Sequence, residues 1–106
     1  TFAALQADSS IDGIISATTA ATIASVDAAE SSGRRLGHDI DIGSKEVSNL
    51  LRVFRRQLVL VREDTTEAGR HLARALLQQI NEPDAPLVCN LSVPTAADIL
   101  PGTPNG

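Results

Sequence analysis

The chain has almost no aromatic side chains: Phe2 and Phe54 are the only ones among 106 residues, and neither tyrosine nor tryptophan occurs. Aromatic residues supply much of the buried area of compact cores and of binding hot spots. A core of alanine, isoleucine, leucine and valine must be thin, with its elements packed close together. The composition therefore favours helices side by side over a β-sandwich, and it disfavours binding of single-stranded nucleic acid by base stacking.

Cysteine is also scarce, since Cys89 stands alone and no disulfide can form within the chain. One thiol fits a reducing compartment without proving it, so the localisation stays open. No run of about 20 apolar residues occurs, and we therefore expect no transmembrane helix. A basic region followed by an apolar run, the pattern of a signal peptide, is missing as well.

Motifs for catalysis and cofactor binding are missing too. The chain has no G-x-S-x-G, no P-loop and no G-x-G-x-x-G, so we predict no cofactor. His38, Asp39 and Asp41 share one loop, but a metal ion needs three or four converging ligands, and we predict no metal site. Cys89 and His71 could form a nucleophile and base. Because the neighbours of Cys89 are mostly apolar, we favour an inert buried thiol, and a small thiol-dependent enzyme is only an alternative.

Charge is distributed unevenly along a chain whose net charge is −4. Residues 1–33 hold four acids and no base, residues 34–81 hold all nine bases against six acids, and residues 82–106 hold three acids. The acidic first segment could lie along the basic middle one, within one chain or between copies. Solvated faces with an accidental asymmetry are the alternative, because exposed ion pairs contribute little energy.

What the sequence does contain is a ladder of apolar spacings in its middle. Steps of four and three residues alternate along it, at Val47, Leu51, Phe54, Leu58, Val61, Thr65, Ala68, Leu72, Ala75 and Gln79. Eight of these ten side chains are apolar, which is typical of a helix that packs one seam against another helix. We therefore predict one long helix near residues 44–80.

A weaker helical pattern precedes the ladder and predicts a helix near residues 10–32. Small apolar residues recur there at steps of three and four, while β-branched threonines and Gly13 lower the intrinsic helicity. We expect Gly33 just beyond the end of this helix, with Arg34 and Arg35 near the negative end of its dipole.

Two features within the ladder indicate a different secondary structure. The four consecutive apolar residues 58–61 could form a buried strand. Asp64-x-x-Glu67 has the spacing of a helix cap that follows a break. Because the ladder keeps its phase through Thr65, we favour one long helix with a kink near residues 62–66.

The predicted fold is all-α: an antiparallel helical hairpin over residues 1–81, followed by an extended, irregular C-terminal arm over residues 82–106. Five prolines interrupt that arm. Because a hairpin has one seam and a stable domain must enclose its core between packed layers, we expect oligomerisation or a partner to complete the fold. The outline is similar to small secreted helical-hairpin proteins and to needle and rod subunits of secretion systems, with no residue-level match.

This fold predicts a non-enzymatic structural or adaptor subunit of a larger complex, in contact with further copies or with another helical protein. The expected interface residues are Val47, Leu51, Phe54, Leu58, Val61, Ala68 and Leu72. Several arginines beside and opposite this seam form a predicted basic stripe: Arg52, Arg55, Arg56, Arg62 and Arg70. The stripe supports an alternative function, a small regulator that binds nucleic acid or an acidic partner. A pI near 4.9 makes nucleic acid the less favoured ligand.

Overall fold

The computed structural model describes residues 1–89 and 91–103, and within them the chain is a mixed α/β protein. The helices are α1 (Phe2–Ala7), α2 (Thr19–Ser31), α3 (Asn49–Phe54) and α4 (Thr65–Asn81). The strands are β1 (Gly13–Ser16), β2 (Asp41–Ser44), β3 (Val59–Val61) and β4 (Ile99–Leu100), and a 3₁₀ turn covers Ala96–Asp98. The prediction of an all-α helical hairpin is therefore wrong.

The chain forms two compact units. The first contains residues 1–63 and 94–103, and therefore the whole sheet. The second contains residues 64–93, and therefore α4 and the segment after it. The predicted division into 1–81 and 82–106 rested on where helical periodicity stops, and it stays a prediction. Within the predicted C-terminal arm, residues 82–106, Asn90 and residues 104–106 lie outside the described residues.

The sheet of the first unit has the strand order β1-β2-β3-β4. β1, β2 and β3 are parallel to one another, and β4 is antiparallel to β3. α2 connects β1 to β2 and α3 connects β2 to β3, so the strands and helices alternate as they do in parallel α/β sheets. α2 packs on β1 and β2 and also contacts α1.

The predicted helix over residues 10–32 is wrong at its beginning, where the chain forms β1. The β-branched pair Ile14 and Ile15 lies in this strand, and such residues fit a pleated sheet better than a helix. The helix begins after Thr18, whose hydroxyl oxygen accepts a hydrogen bond from the backbone N–H of Ala21 at 3.2 Å. This N-cap marks the true start of α2.

The predicted end of this helix is confirmed. Gly33 adopts a positive φ of 82°, which a residue with a side chain rarely does. Its backbone N–H donates to the carbonyl oxygen of Glu30, and the N–H of Arg34 donates to that of Ala29, both at 3.0 Å. These two bonds form a Schellman motif, which satisfies the last carbonyl groups of α2.

The predicted long helix over residues 44–80 is wrong, and the alternative with a strand and a new helix is correct. β3 occupies residues 59–61, and α4 begins after Asp64. The Asp64 carboxylate accepts a hydrogen bond from the backbone N–H of Glu67 at 2.9 Å. Ser48 caps the short helix α3 in the same way, through the N–H of Leu51 at 3.2 Å. Two separate caps thus begin two separate helices within the ladder.

The core of the first unit lies under one face of the sheet. Ile42 of β2, Leu60 of β3 and Leu51 of α3 are fully buried there. The cluster of buried apolar side chains consists of Leu5, Val26, Ala28, Ala29, Leu36, Ile40, Ile42, Leu51, Leu58 and Leu60. Because these residues come from both helical crossovers and from two neighbouring strands, the sheet and the helices depend on one core.

Four hydroxyl groups lie beside this core, where α2 crosses the sheet. The Ser16 and Ser25 hydroxyls share a hydrogen bond of 3.2 Å, and Thr22 donates to the Ser44 hydroxyl at 2.9 Å. All four residues are buried, and no buried side-chain polar atom in the described part of the chain lacks a partner. Since buried polar groups cost energy unless they are paired, these bonds fix α2 over β1 and β2.

Leu60→Ala should destabilise the protein strongly, because Leu60 is fully buried at the centre of the sheet although it lies off the predicted helical seam. We expect a loss of about 2–5 kcal/mol of unfolding free energy, measured by urea denaturation with far-UV circular dichroism. Val53→Ala is the control, since Val53 is 85% exposed on α3 and should change stability by less than about 0.5 kcal/mol. Equal losses for the two variants would contradict the sheet.

Gly102→Ala should loosen the chain beyond β4. A Cβ atom at Gly102 would overlap the backbone carbonyl group of Gln57, which no side-chain rotation can relieve. We expect a loss of about 1–3 kcal/mol in the same assay. Gly69→Ala is the matched control: space is open around Gly69, and alanine favours helix α4 by about 1 kcal/mol. A neutral Gly102→Ala variant would disprove this close approach of the two backbones.

Candidate protein interaction surface

One face of the sheet is covered and the other is open. The strand positions that alternate away from the core are Ile15, Gly43, Val59, Val61 and Ile99, and we call them the open face. The pairs Ile15–Gly43, Gly43–Val59 and Val61–Ile99 are in register across all four strands, so the open face is continuous. Ile15 is 91% exposed, although it lies in a strand of a mostly parallel sheet.

An open face of this composition is unusual for a parallel sheet. Both crossovers run in the same direction along the sheet, so right-handed connections place α2 and α3 on the same side. Sheets of parallel strands occur almost only with both faces covered, and their strands are accordingly apolar on both sides. The first unit therefore provides one of the two layers that such a sheet requires.

Charged groups border the open face at its two ends. Asp41 lies at the start of β2 with an exposed side chain, and it forms no ion pair within the described residues. At the other end, Lys45 Nζ lies 3.0 Å from Glu63 Oε1, one residue after β2 and two residues after β3. Together these three side chains give the border a formal charge of −1.

The second unit also exposes an apolar surface. Leu72, Leu76 and Ile80 follow one another at steps of four along α4 and are 73%, 63% and 64% exposed. Residues at this spacing lie on one side of a helix, and we call the three the helix row. α4 has no buried residue. Because most of the stability of a helix comes from packing its apolar side, α4 needs a surface on which to place this row.

The predicted interface residues occupy several different environments. Leu51 and Leu58 are buried in the core. Phe54 is half-buried, and the guanidinium carbon of Arg55 lies 4.5 Å from the centre of the Phe54 ring. Val47 lies in the loop before α3, Val61 lies on the open face, and Ala68 and Leu72 lie on α4. A single helical seam through all seven does not exist, because β3 and two caps interrupt it. Their role in an interface stays a prediction.

The predicted basic stripe is divided among separate elements as well. Arg52 lies on α3, Arg55 and Arg56 follow it, Arg62 follows β3, and Arg70 lies on α4. Within the first unit, however, the structure brings Arg55 close to Arg34 and Arg35, which the sequence analysis assigned only to a helix dipole. Binding of nucleic acid or an acidic partner through the five predicted arginines stays a prediction.

A polar contact near the carboxyl ends of β1 and β2 joins the first residue of α2 to the loop after β2. The Glu46 carboxylate accepts hydrogen bonds from the Thr19 backbone N–H and from the Thr19 hydroxyl, the latter at 2.7 Å. Both bonds lower the pKa of Glu46 below its usual value of 4.5, and the bond from the hydroxyl group has the larger effect. The carboxylate thus occupies the positive end of the α2 dipole.

Cys89 and His71 line one cavity in the second unit, together with Leu72, Ala75 and other residues of α4 and of the segment after it. His71 Nε2 lies 3.2 Å from Glu67 Oε1. The expectation of a buried thiol is wrong, since Cys89 is exposed. A thiol-dependent activity stays a prediction.

Comparison with known proteins gives no functional assignment. No protein-family model matches the chain, and a search of curated proteins finds no significant match. Among residues 1–89 and 91–103, no helix is long and apolar enough to cross a membrane. The same residues contain no group of three or more histidine, cysteine or acidic side chains placed to hold a metal ion.

Most of the open face and two members of the helix row were not predicted from the sequence. Leu76 and Ile80 lie off the four-three ladder, because the ladder followed a phase carried over from the residues before β3. Once α4 is taken to begin after Asp64, steps of four through Leu72 become the dominant pattern. Ile15 and Val59 are revealed only by strand pairing, which no short-range pattern shows.

Glu46→Gln should weaken the protein at neutral pH and should reduce the loss of stability on acidification. The folded pKa of Glu46 is depressed, so its contribution is present above the usual value of 4.5 and is lost as the pH falls through the folded pKa. The two proteins should therefore converge in stability as the pH falls below 4.5. Urea denaturation between pH 3 and pH 7 measures this difference.

Thr19→Val is the companion variant, because it removes the donor hydroxyl and keeps the carboxylate. It should also flatten the acid dependence, although less than Glu46→Gln, since the backbone N–H of Thr19 still donates. If Glu46→Gln keeps the full acid dependence of the parent protein, the contact does not exist in solution.

Proposed function

We propose that this chain is a non-enzymatic structural subunit that assembles with a second copy of itself. In this assembly, the helix row of each copy packs on the open face of the other. The observation that carries the proposal is the open face itself, with Ile15 91% exposed on a sheet whose other face is fully used by the core. A helix placed across such a sheet would bury its exposed apolar face, as helices do in other parallel sheets.

The helix row has the chemistry that the open face requires. Leu72, Leu76 and Ile80 are long aliphatic side chains, and the open face has Gly43 between Ile15 and Val59, which leaves space for a side chain of the helix. Complete burial of each large aliphatic side chain contributes roughly 1.5–3 kcal/mol. Several such side chains on both surfaces offset the loss of freedom on association.

The two surfaces also carry opposite charges. α4 contains two arginines and one glutamate, so it carries a formal charge of +1, while the border of the open face carries −1. Complementary charge adds little affinity at an exposed rim but favours the correct approach of two surfaces. The same charges disfavour contact between two open faces, since both borders carry −1.

A second copy is the occupant because one chain supplies both complementary surfaces. Two copies related by a two-fold axis form two equivalent contacts of helix row on open face, and no apolar surface of either kind remains unused. The two contacts together double the area buried by one helix, which brings the interface toward the roughly 1,600 Å² of a stable complex.

Light scattering over a concentration series tests the assembly. We expect a mass of twice 11.1 kDa for the parent protein and 11.1 kDa for Ile15→Asp and for Leu76→Asp, because each substitution places an unpaired charge in an apolar contact. Val53→Asp is the control, since Val53 is exposed on α3 and lies outside both surfaces, and this variant should remain a dimer.

A mixture of the two monomeric variants is the sharper test. Ile15→Asp retains an intact helix row and Leu76→Asp retains an intact open face, so the mixture should form a weaker heterodimer through one restored contact. Two identical faces in contact would give no such recovery. A monomeric parent protein, or a mixture that stays monomeric while both variants keep their parent circular dichroism spectrum, would overturn the proposal.

A further inference from the structure

Three arginines meet at the amino edge of the sheet, where the helices end and the next strands begin. Arg34 and Arg35 follow the end of α2, and Arg55 follows the end of α3, so equivalent positions of two successive crossovers supply them. They line one cavity of about 390 Å³ in the first unit, together with Glu30 and the backbone at Gly33. We call these three side chains the amino-edge arginines.

Each of these arginines is held in place by bonds that use only part of its guanidinium group. Arg55 Nε and Nη2 donate to the two carboxylate oxygens of Glu30 at 2.8 and 2.9 Å, and Arg55 Nη1 donates to the backbone carbonyl oxygen of Phe54 at 2.7 Å. Arg35 Nε and Nη2 donate to Asp39 at 2.9 and 3.1 Å, which leaves its Nη1 without an acceptor in the described part of the chain. A guanidinium group has five N–H donors, so both arginines keep donors for another ligand.

Arg34 differs from the other two because it forms no ion pair within residues 1–89 and 91–103. Its Nη1 and Nη2 donate to the backbone carbonyl oxygens of Leu5, Asp8 and Ile11. Carbonyl oxygens fix the orientation of the group without neutralising its charge. The last carbonyl groups of α2 are satisfied by backbone N–H groups, so capping of that helix does not account for Arg34.

The local charge favours an anion. The side chains that line the cavity include three arginines and one carboxylate, that of Glu30, so the lining has a surplus of two positive charges in a chain whose net charge is −4. The carboxylates of Asp39 and Asp8 lie outside this lining, the first paired with Arg35 and the second near Arg34. Hydrogen bonds from Arg55 hold the pKa of Glu30 below its usual value, so the carboxylate is already ionised and the surplus persists at neutral pH. The two ion pairs are partly exposed to water, which weakens them, so a ligand can share their arginines at low cost.

We propose that the amino-edge arginines bind a phosphate group, either free or as a monoester. A phosphate carries up to two charges and presents acceptor oxygens in several directions, which suits the planar N–H donors of three arginines that line one cavity. A carboxylate has only two acceptor oxygens, both in one plane, and therefore offers fewer directions for hydrogen bonds from three side chains. The site has no aromatic side chain to hold a base, so recognition is confined to the phosphate group.

Isothermal titration calorimetry with inorganic phosphate tests the site, at constant ionic strength set by sodium chloride. We expect saturable binding of one phosphate per chain, weaker by roughly tenfold in Arg35→Gln and in Arg34→Gln, since each removes charge-assisted hydrogen bonds. Arg74→Gln is the matched control: Arg74 is an exposed arginine of the second unit, and its removal should leave the affinity unchanged. Equal weakening by all three substitutions would indicate general attraction and overturn the proposal.

Glu30→Gln gives a result that a merely structural role for these arginines would not. It removes the carboxylate that competes for Arg55, so phosphate should bind roughly two- to fivefold tighter although an ion pair is lost. Unchanged or weaker binding by a folded Glu30→Gln variant would contradict the proposal, as would the absence of saturable heat in the parent protein.

Two further ligands identify the source of the phosphate. Methyl phosphate should bind as tightly as inorganic phosphate if the site recognises monoesters, and at least tenfold more weakly if it encloses the free ion. Acetate at the same ionic strength should give no saturable heat. Acetate binding equal to that of phosphate would overturn the assignment of a phosphate site.

Discussion

The covered face of the sheet is the constraint on which the first unit depends. β2 lies between β1 and β3, and its residues Ile42 and Ser44 point toward α2 and the core. Every buried apolar residue of the unit belongs to the same cluster. With so few aromatic residues, this core is thin, and α2 must approach the strands closely. Ala28 and Ala29 on α2 are buried and small enough to permit that approach.

The hydroxyl pairs across the sheet follow from the same closeness. A serine on β1 meets one on α2, and a threonine on α2 meets a serine on β2, so each short polar side chain finds a partner across the layer. An apolar side chain of ordinary size would force the layers apart. Hydrogen bonds of this kind are directional, and they specify which residues of α2 face which strand. The register of the helix over the sheet is therefore determined more narrowly than by apolar packing alone.

Local signals of the fold could be predicted from the sequence, while the long-range ones could not. Gly33 after α2 and Asp64 before α4 depend on backbone geometry within a few residues, and both patterns were identified correctly. The apolar run over residues 58–61 also indicated extended chain. The error lay in joining these pieces into one helix, since a ladder with alternating steps of four and three can span a strand by coincidence. Which strands pair, and therefore which side chains share a face, is decided by contacts distant in sequence.

The candidate surfaces, like the strand pairing, depend on contacts between residues that are distant in sequence. Ile15, Val59 and Ile99 are separated by more than 80 residues along the chain, yet the pleat places them on one face. The amino-edge arginines likewise come together only because two successive crossovers end at the same edge of the sheet. In both cases the chemistry of single residues was visible in the sequence, whereas the arrangement that gives it meaning required the topology.

Stability and the proposed assembly are linked in this chain. The strands have only four, four, three and two residues, and a small domain buries too little surface to be more than marginally stable. Any contact made only by the folded state raises its stability by mass action. A helix placed across the open face would bury β-branched side chains that otherwise remain in water, on the same strands whose other face forms the core. Association would therefore stabilise β1 and β3 in particular, and folding of the sheet would depend on protein concentration.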